Sequence, residues 1–596
     1  MEDQTKNLIL ATVLSFLVIL AWFVLFPPEI PEEATEGQTT EESLLDTAAD
    51  DGLVPPAPAD QPLVADTPAA EAVEAPRVTI DTPSLQGSFT LRGGRIDDLL
   101  LKGYRETLDE GSDLVRLFSP TGTQEPYFAM HSWVAETGVT AELVPSTETV
   151  WSIESGETLT PETPVTLVWD NGAGLIFRKT ISVDESFMFS ITQSVENTTG
   201  SAVSLRQLGE IRRLGQPDTR NFFILHEGLI RMSDGELEEA TYDDLQDFEV
   251  ADARVTVAEN GWLGFTDKYW MATLVEKPGT GFLSIAGYEG GAYRAYALSP
   301  TMQVAPGETA SYDSRLYAGA KEWEAIRGYQ NEAGIDRFLD SIDWGWFFFL
   351  TKPIFALLHW LNGIIGNMGW AIIALTVLIK AILLPLAFKS YVSMAKMKEL
   401  QPEMEKLKER AGDDRQAMQQ GMMELYKKNK VNPASGCLPI LLQIPIFFAL
   451  YKVIFVTLEL RHAPWVGWIQ DLSAPDPSSI FNLFGLLPWD APDPNSFVAL
   501  IFIGIMPILL GVSMWLQQKL NPQPTDPTQK MIFAWMPWVF MFMLGGFASG
   551  LVLYWITNNT ITFIQQYAIM RSQGYTPDVL GNIRASLSRG DKSGDK

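Results

Sequence analysis

The chain has little that could cross-link or ligate. Only one of its 596 residues is a cysteine, Cys437, which excludes disulfides within a chain and any Cys-based metal site. His131, His226, His359 and His462 are scattered and lack metal-ligand spacing, so no metal or cofactor is expected. Between Pro27 and Pro76 there is no Lys or Arg, although Asp, Glu, Pro and Ala abound. Such a stretch cannot bury enough apolar surface to fold, and residues 27–76 are expected to form an extended, self-repelling tether. The net charge of −30 is therefore unevenly spread and says little about the folded parts. It argues against nucleic acid as a direct partner. The long apolar runs lack acid in turn, with Glu459 only at the end of one. No nucleophile–base pair, phosphate loop or paired carboxylates fit them, so no catalytic residue is expected there.

What is present is membrane-like sequence. Leu8 to Phe26 is apolar over about the length of a span, and residues 1–26 read as a retained anchor rather than a cleaved signal. From Arg77 to about Tyr317 the pattern is short alternating runs broken by turn residues. Val165, Leu167 and Trp169 alternate before Asp170-Asn171-Gly172, and Ile176 to Val183 resumes, a hairpin signal. Phe187, Phe189 and Ile191 continue it to Asn197. Residues 77–320 are expected to form one large antiparallel β-sandwich, and 321–366 a connecting helix followed by an interfacial helix at Trp344–Asn362. Further spans are expected at 367–388, Cys437–Leu460 and Phe497–Trp515. Met531 to Tyr567, interrupted at Gly545-Gly546, should supply a hairpin of two short helices. That gives six spans, four of them within 435–570.

Loop charge sets the orientation. Ten Lys or Arg residues lie between Lys389 and Lys430, and the 571–596 tail is also basic, against Arg461 alone between 461 and 496. The positive-inside rule places both termini and residues 389–434 in the cytoplasm, and the β domain outside.

Lys380 is the outstanding residue. It sits within the apolar stretch NMGWAIIALTVLIKAILLPLAF, roughly 12 Å below Lys389 if the helix is straight at ~1.5 Å per residue. A charge at that depth faces protein or a water-filled hollow, unless it snorkels. Thr376 lies one turn earlier on the same face. Gln443, Asn558, Asn559, Thr562, Gln565 and Gln566 add polar groups to the spans, and Tyr554 is one turn from Asn558. Such groups also serve as interhelical hydrogen-bond glue. Pro385, Pro439, Pro445, Pro507 and Pro537 are candidate kinks. Lys452, near the outer end of its span, is expected to snorkel, with Glu459 two turns away.

Residues 389–434 read as a helical hairpin. Met397, Leu400, Met404 and Leu407 recur at helical spacing, as do Met418, Met422 and Leu425. Gly412 supplies a stop, Asp413 an expected N-cap, and Gln416 the capping-box partner. The methionines suit either a contact surface or plain packing of two helices.

Four stretches carry a resemblance: SMAKMKELQPEMEKLKERAGDD, KKNKVNPASGCLPILLQIPIFFALY, ELRHAPWVGWIQDLSAPDP and SGLVLYWITNN. In these the chain resembles the YidC membrane protein insertases of Gram-negative bacteria over nearly its whole length. The resemblance implies an α-helical polytopic inner-membrane protein with a five-span core. A hydrophilic groove would open to cytoplasm and lipid and be closed to the periplasm. A first span and a periplasmic β-super-sandwich, similar to sugar-mutarotase-like domains, would be additions. Lys380 matches the groove's basic residue, often arginine, and Thr376 a groove threonine. Tyr554 matches the first of a tyrosine pair, with Trp555 replacing the second. The expected groove set is thus Lys380, Thr376, Gln443, Tyr554, Trp555, Asn558 and Asn559, with Met397, Met404, Met418 and Met422 on a cytoplasmic contact hairpin. The resemblance implies nascent membrane proteins, the Sec translocon, the ribosome and the lipid bilayer as partners. A small-molecule transporter or channel, and a tethered sugar-binding protein or enzyme, are the competing readings.

Overall fold

The computed structural model describes residues 75–574 and 581, except 110, 218, 220–224, 413, 430–437, 493–495, 497, 499–500 and 522–526. The expected anchor at Leu8–Phe26, nearly all of the acidic tether, Cys437 and most of the basic tail lie outside the described residues.

Residues 77–320 form two sheets, one of eleven strands and one of nine. Alternation decides which side chains face inward. In Leu175–Val183 every second residue is buried, and Ile181 pairs with Val165 on one side and Ile191 on the other. The hairpin between Val165–Asp170 and Leu175–Val183 closes on Asn171, whose side-chain oxygen accepts from the amides of Ala173 and Leu175. Gly172 and Gly174 take the left-handed conformations this turn requires, with φ of 69° and 95°. In the nine-stranded sheet Met188–Asn197 is flanked antiparallel by Leu175–Val183 and Thr309–Ala320. Phe187 precedes that strand rather than lying in it.

One buried cation gives this domain a pH signature. Lys179 is 1% exposed and donates to the carbonyls of Gly93 at 3.1 Å and His131 at 2.7 Å, with the Trp151 ring 4.9 Å away. Burial pushes its pKa down from 10.5 to about 7. At this site the unfolded chain therefore binds more protons between those values, and the contribution of Lys179 to stability rises with pH across that window. Lys321, lowered by burial to about 8, acts in the same sense. Lys179→Met should remove up to about 1.4 kcal/mol of slope per pH unit, read from denaturant unfolding of the full chain in detergent. An unchanged slope would show that Lys179 is not effectively desolvated.

Beyond the sandwich the chain is helical. The stretch 321–342, expected to be helical throughout, forms α1, Trp323–Asn331, and then only a 3-10 turn at Phe338–Ser341. There follow α2, Phe348–Ile365; α3, Met368–Ile382; α4, Leu384–Glu399; α5, Gln401–Ala411; α6, Arg415–Lys428; α7, Leu438–Val456; α8, Ile505–Gln518; α9, Pro527–Met543; and α10, Ser549–Ser572. The expected span 367–388 is not one helix. It bends by 67° between α3 and α4, at Leu383, with Pro385 in the first turn of α4. Pro385 has no amide to donate and its ring crowds the preceding turn, so the helix ends before it and restarts. The straight-helix depth of Lys380 below Lys389 therefore does not hold. Pro439 and Pro507 likewise begin α7 and α8, where a missing amide costs nothing; only Pro445 and Pro537 of the anticipated kinks lie inside helices.

α2, expected in the interface, is long and apolar enough to cross a membrane, as is the bent α3–α4 pair taken together. Shorter apolar helices are Gln443–Val456, Ile505–Gln518 and Met531–Met543. The final apolar region does contain two helices, α9 and α10, separated at 544–548.

Side-chain contacts fasten the sandwich to the helices. Arg461 donates to the backbone carbonyls of Arg105 and Glu106. His359 on α2 bonds Glu459 at 2.7 Å and Glu324 of α1 at 3.1 Å. Lys452 does not snorkel as expected. It is 6% exposed and forms an ion pair with Asp343, which also accepts from the amide of His226. The lysine stem lies against Gly345, where a Cβ would come 2.7 Å from its Cε. Glu459, its anticipated neighbour, is held by His359 instead.

Candidate functional site

A cavity of about 440 Å³ opens among the helices, lined from α3, α4, α7, α8, α9 and α10. Lys380 projects into it from the last turn of α3. Its ammonium donates to Thr562 Oγ1 at 3.0 Å and Gln443 Oε1 at 3.3 Å, tying three helices together. Both partners are neutral, so no carboxylate cancels the charge among these contacts. Gln443 in turn donates to the Tyr554 hydroxyl, which lies behind it and is 2% exposed.

The arrangement on α10 follows from helical spacing. Trp555, Asn558, Thr562 and Gln565 recur every three or four residues and line the cavity as one stripe. Trp555 stacks on Phe447 of α7, with centroids 4.8 Å apart and planes 16° off parallel. The amide oxygen of Asn558 is buried and meets no hydrogen-bond donor among the described residues. Thr562 returns its own hydroxyl proton to the Asn558 carbonyl, and Gln565 donates to the Lys380 carbonyl at 3.4 Å. A second polar stripe looks elsewhere: Asn559 donates to Ser513 of α8 and Gln566 to Asn521, both at 3.1 Å.

Of the expected groove set, the structure brings Lys380, Gln443, Trp555 and Asn558 to the cavity wall, with Tyr554 one hydrogen bond behind. Asn559 faces α8. Thr376 is 1% exposed, and its hydroxyl bonds the Ile372 carbonyl of its own helix, away from the cavity lining. Thr562 and Gln565 belong to the site and were seen in the sequence only as generic polar groups. Continuing the three-to-four spacing from Trp555 would have selected them. Tyr391 and Gln517 also line the wall, and neither carries a local signal that distinguishes it.

Outside the cavity wall, α5 and α6 pack on each other. Asp414, not Asp413, caps α6, accepting from the amides of Gln416 and Ala417 at 3.0 Å. Met397, Met404, Met418 and Met422 are all half-buried. Met404 receives the Tyr426 hydroxyl at 3.9 Å, and a Cβ at Gly421 would meet Leu407 at 2.7 Å. Replacing the four methionines with Ser removes apolar contact worth at most about 1.5–3 kcal/mol each. Proteolysis of α5–α6 should accelerate. An unchanged rate would mean that the methionines do not pack the hairpin.

The family model described as 60Kd inner membrane protein matches residues 360–575, and that of the YidC periplasmic domain matches residues 77–357. The membrane protein insertase YidC of Dinoroseobacter shibae is 61% identical over 610 positions, covering 100% of both chains. That of Roseobacter denitrificans is 60% identical over 609 positions, again covering 100% of both. Among solved structures, an active YidC insertase with its first transmembrane domain resolved is similar at 18% identity and a TM-score of 0.35, covering 83% of this chain and 95% of that one. With family models spanning both the sandwich and the helices, and relatives near 60% identity from end to end, the chain belongs to the YidC family of membrane protein insertases.

Proposed function

We propose that this protein inserts nascent proteins into the inner membrane by sheltering their polar segments in the Lys380 cavity. The observation that carries this reading is a cation held by neutral partners in a hollow between apolar helices, with Asn558 and Gln565 among the polar groups on its wall. A polar segment crossing lipid loses its hydration, at several kcal/mol per unsatisfied group. The hollow offers it Lys380, Gln443 and Thr562 in exchange. Short helices shorten the crossing further. α8 has 14 residues, about 21 Å at ~1.5 Å each, against a hydrocarbon core of ~30 Å, so the bilayer thins beside it. The spans of the substrate then slide into lipid, and no nucleotide is required. Both termini and α5–α6 face the cytoplasm in this reading, with six spans in all; the Sec translocon and the ribosome are partners inferred from the family.

The test is access. Lys380→Cys on a Cys437→Ser background should react with a membrane-impermeant thiol reagent added from the cytoplasmic side and resist it from the other. Reaction from the periplasmic side alone would reverse the groove. The sandwich should be largely dispensable, because every residue of the cavity wall lies beyond 379. Deleting about 80–310 leaves the Asp343–Lys452 pair in place and should retain most insertion in a depletion-rescue assay. Loss of rescue, with the truncated chain still in the membrane, would give the β domain an essential part.

A further inference from the structure

The segment from Ser479 to Trp489 lies on the same side of the helices as the sandwich, since it sits between Arg461, bonded to the sandwich, and the start of α8. From Pro477 to Trp489 it holds no charged residue, with Asp476 and Asp490 at its borders. Its apolar side chains nevertheless point outward: Leu486 is 85% exposed, and Phe481, Leu483, Phe484 and Trp489 are exposed too. A water-facing loop of this composition would be turned in or broken by charge.

The backbone turns it out. Leu483 and Phe484 adopt left-handed conformations, with φ of 47° and 60°, which residues bearing a large side chain rarely take. The same backbone is closed on itself. The amides of Leu483, Phe484, Gly485 and Leu487 donate to carbonyls at Ile480, Ser479 and Asn482 within the loop. The Asn482 side chain donates to the Trp489 carbonyl, and the Trp489 indole donates to the Phe481 carbonyl at 3.0 Å. In water these groups need no internal partner; in lipid they have no other. The apolar surface runs on toward α8, since the Phe481 ring lies 5.3 Å from Phe502, next in sequence to exposed Ile501 and three residues before that helix begins.

We propose that residues 480–489 form a wedge seated in the outer leaflet of the bilayer, with Leu486 among the acyl chains and Trp489 at the headgroup boundary. The occupant of this surface is lipid, not protein. The inference rests on the reading that α8 lies in the membrane, and it adds a second element that disturbs the bilayer beside that short helix.

Nitroxide labels test it on the full chain in phosphatidylethanolamine–phosphatidylglycerol vesicles. Single cysteines at Leu486, at Val512 on the exposed face of α8 and at Leu108 on the sandwich surface are labelled on a Cys437→Ser background. Position 486 should behave like 512, with oxygen collisions favoured and nickel-complex collisions several-fold fewer than at 108. A label at 486 that matches 108 while 512 reads as lipid would overturn the wedge alone. If 512 itself reads as water, the membrane placement of α8 fails and the wedge with it.

Discussion

Lys380→Glu is expected to abolish insertion of substrates whose translocated segments are acidic. The lysine is half-buried among apolar helices, and its bonded partners Thr562 and Gln443 carry no charge. Reversing its sign therefore meets an incoming carboxylate with little screening. Two like charges ~4 Å apart cost about 4 kcal/mol at an effective dielectric of ~20, against about 1 kcal/mol in water. The first figure is roughly three orders of magnitude in rate, the second about fivefold, so the size of the defect reports the wetness of the cavity. Lys380→Arg should substitute well, because the oxygens of Gln443 and Thr562 accept from a guanidinium as readily as from an ammonium. Lys380→Ala should weaken insertion most for acidic segments and least for uncharged ones. The measurement is depletion rescue across substrates of graded outer charge, with membrane levels of each variant compared. If Ala and Glu variants rescue every substrate equally, the charge has no part in insertion.

Asp343→Ala should cost about 3–5 kcal/mol of stability. Its carboxylate balances Lys452, whose side chain is 7% exposed, and accepts from the His226 amide. Removing it leaves a cation with its main counter-charge gone and a sandwich amide without its acceptor. The cost comes from the stranded charge rather than from the strength of the pair. An Asp343→Leu, Lys452→Met double variant should therefore recover most of the loss. Denaturant unfolding of the full chain in detergent reads both. If the double variant is as unstable as Asp343→Ala, the pair contributes by attraction and the stranded-charge account is wrong. Insertion at permissive temperature should change little, since the pair lies on the sandwich side and not in the Lys380 cavity.

The amino-acid pattern alone was enough to separate a β region from a helical membrane region. Alternation such as Leu175 to Val183 is a property of one strand facing one core, and a turn like Asp170-Asn171-Gly172 is decided by its own residues. Composition likewise singled out Lys380, because a lone charge in an apolar run is visible without neighbours. Helical spacing relates Tyr554 to Asn558, one turn apart, but it does not say which helix that face meets. That was left to tertiary structure, which turned one polar stripe to the cavity and gave Asn559 and Gln566 to α8 and its end. It also hid Thr376 behind a bond to its own helix, bent the chain at Leu383 and brought Lys452 to an aspartate 109 residues earlier in sequence. The division has a physical cause. Periodicity is written into the local chain, whereas the partner of a buried charge is chosen by packing between elements far apart along it.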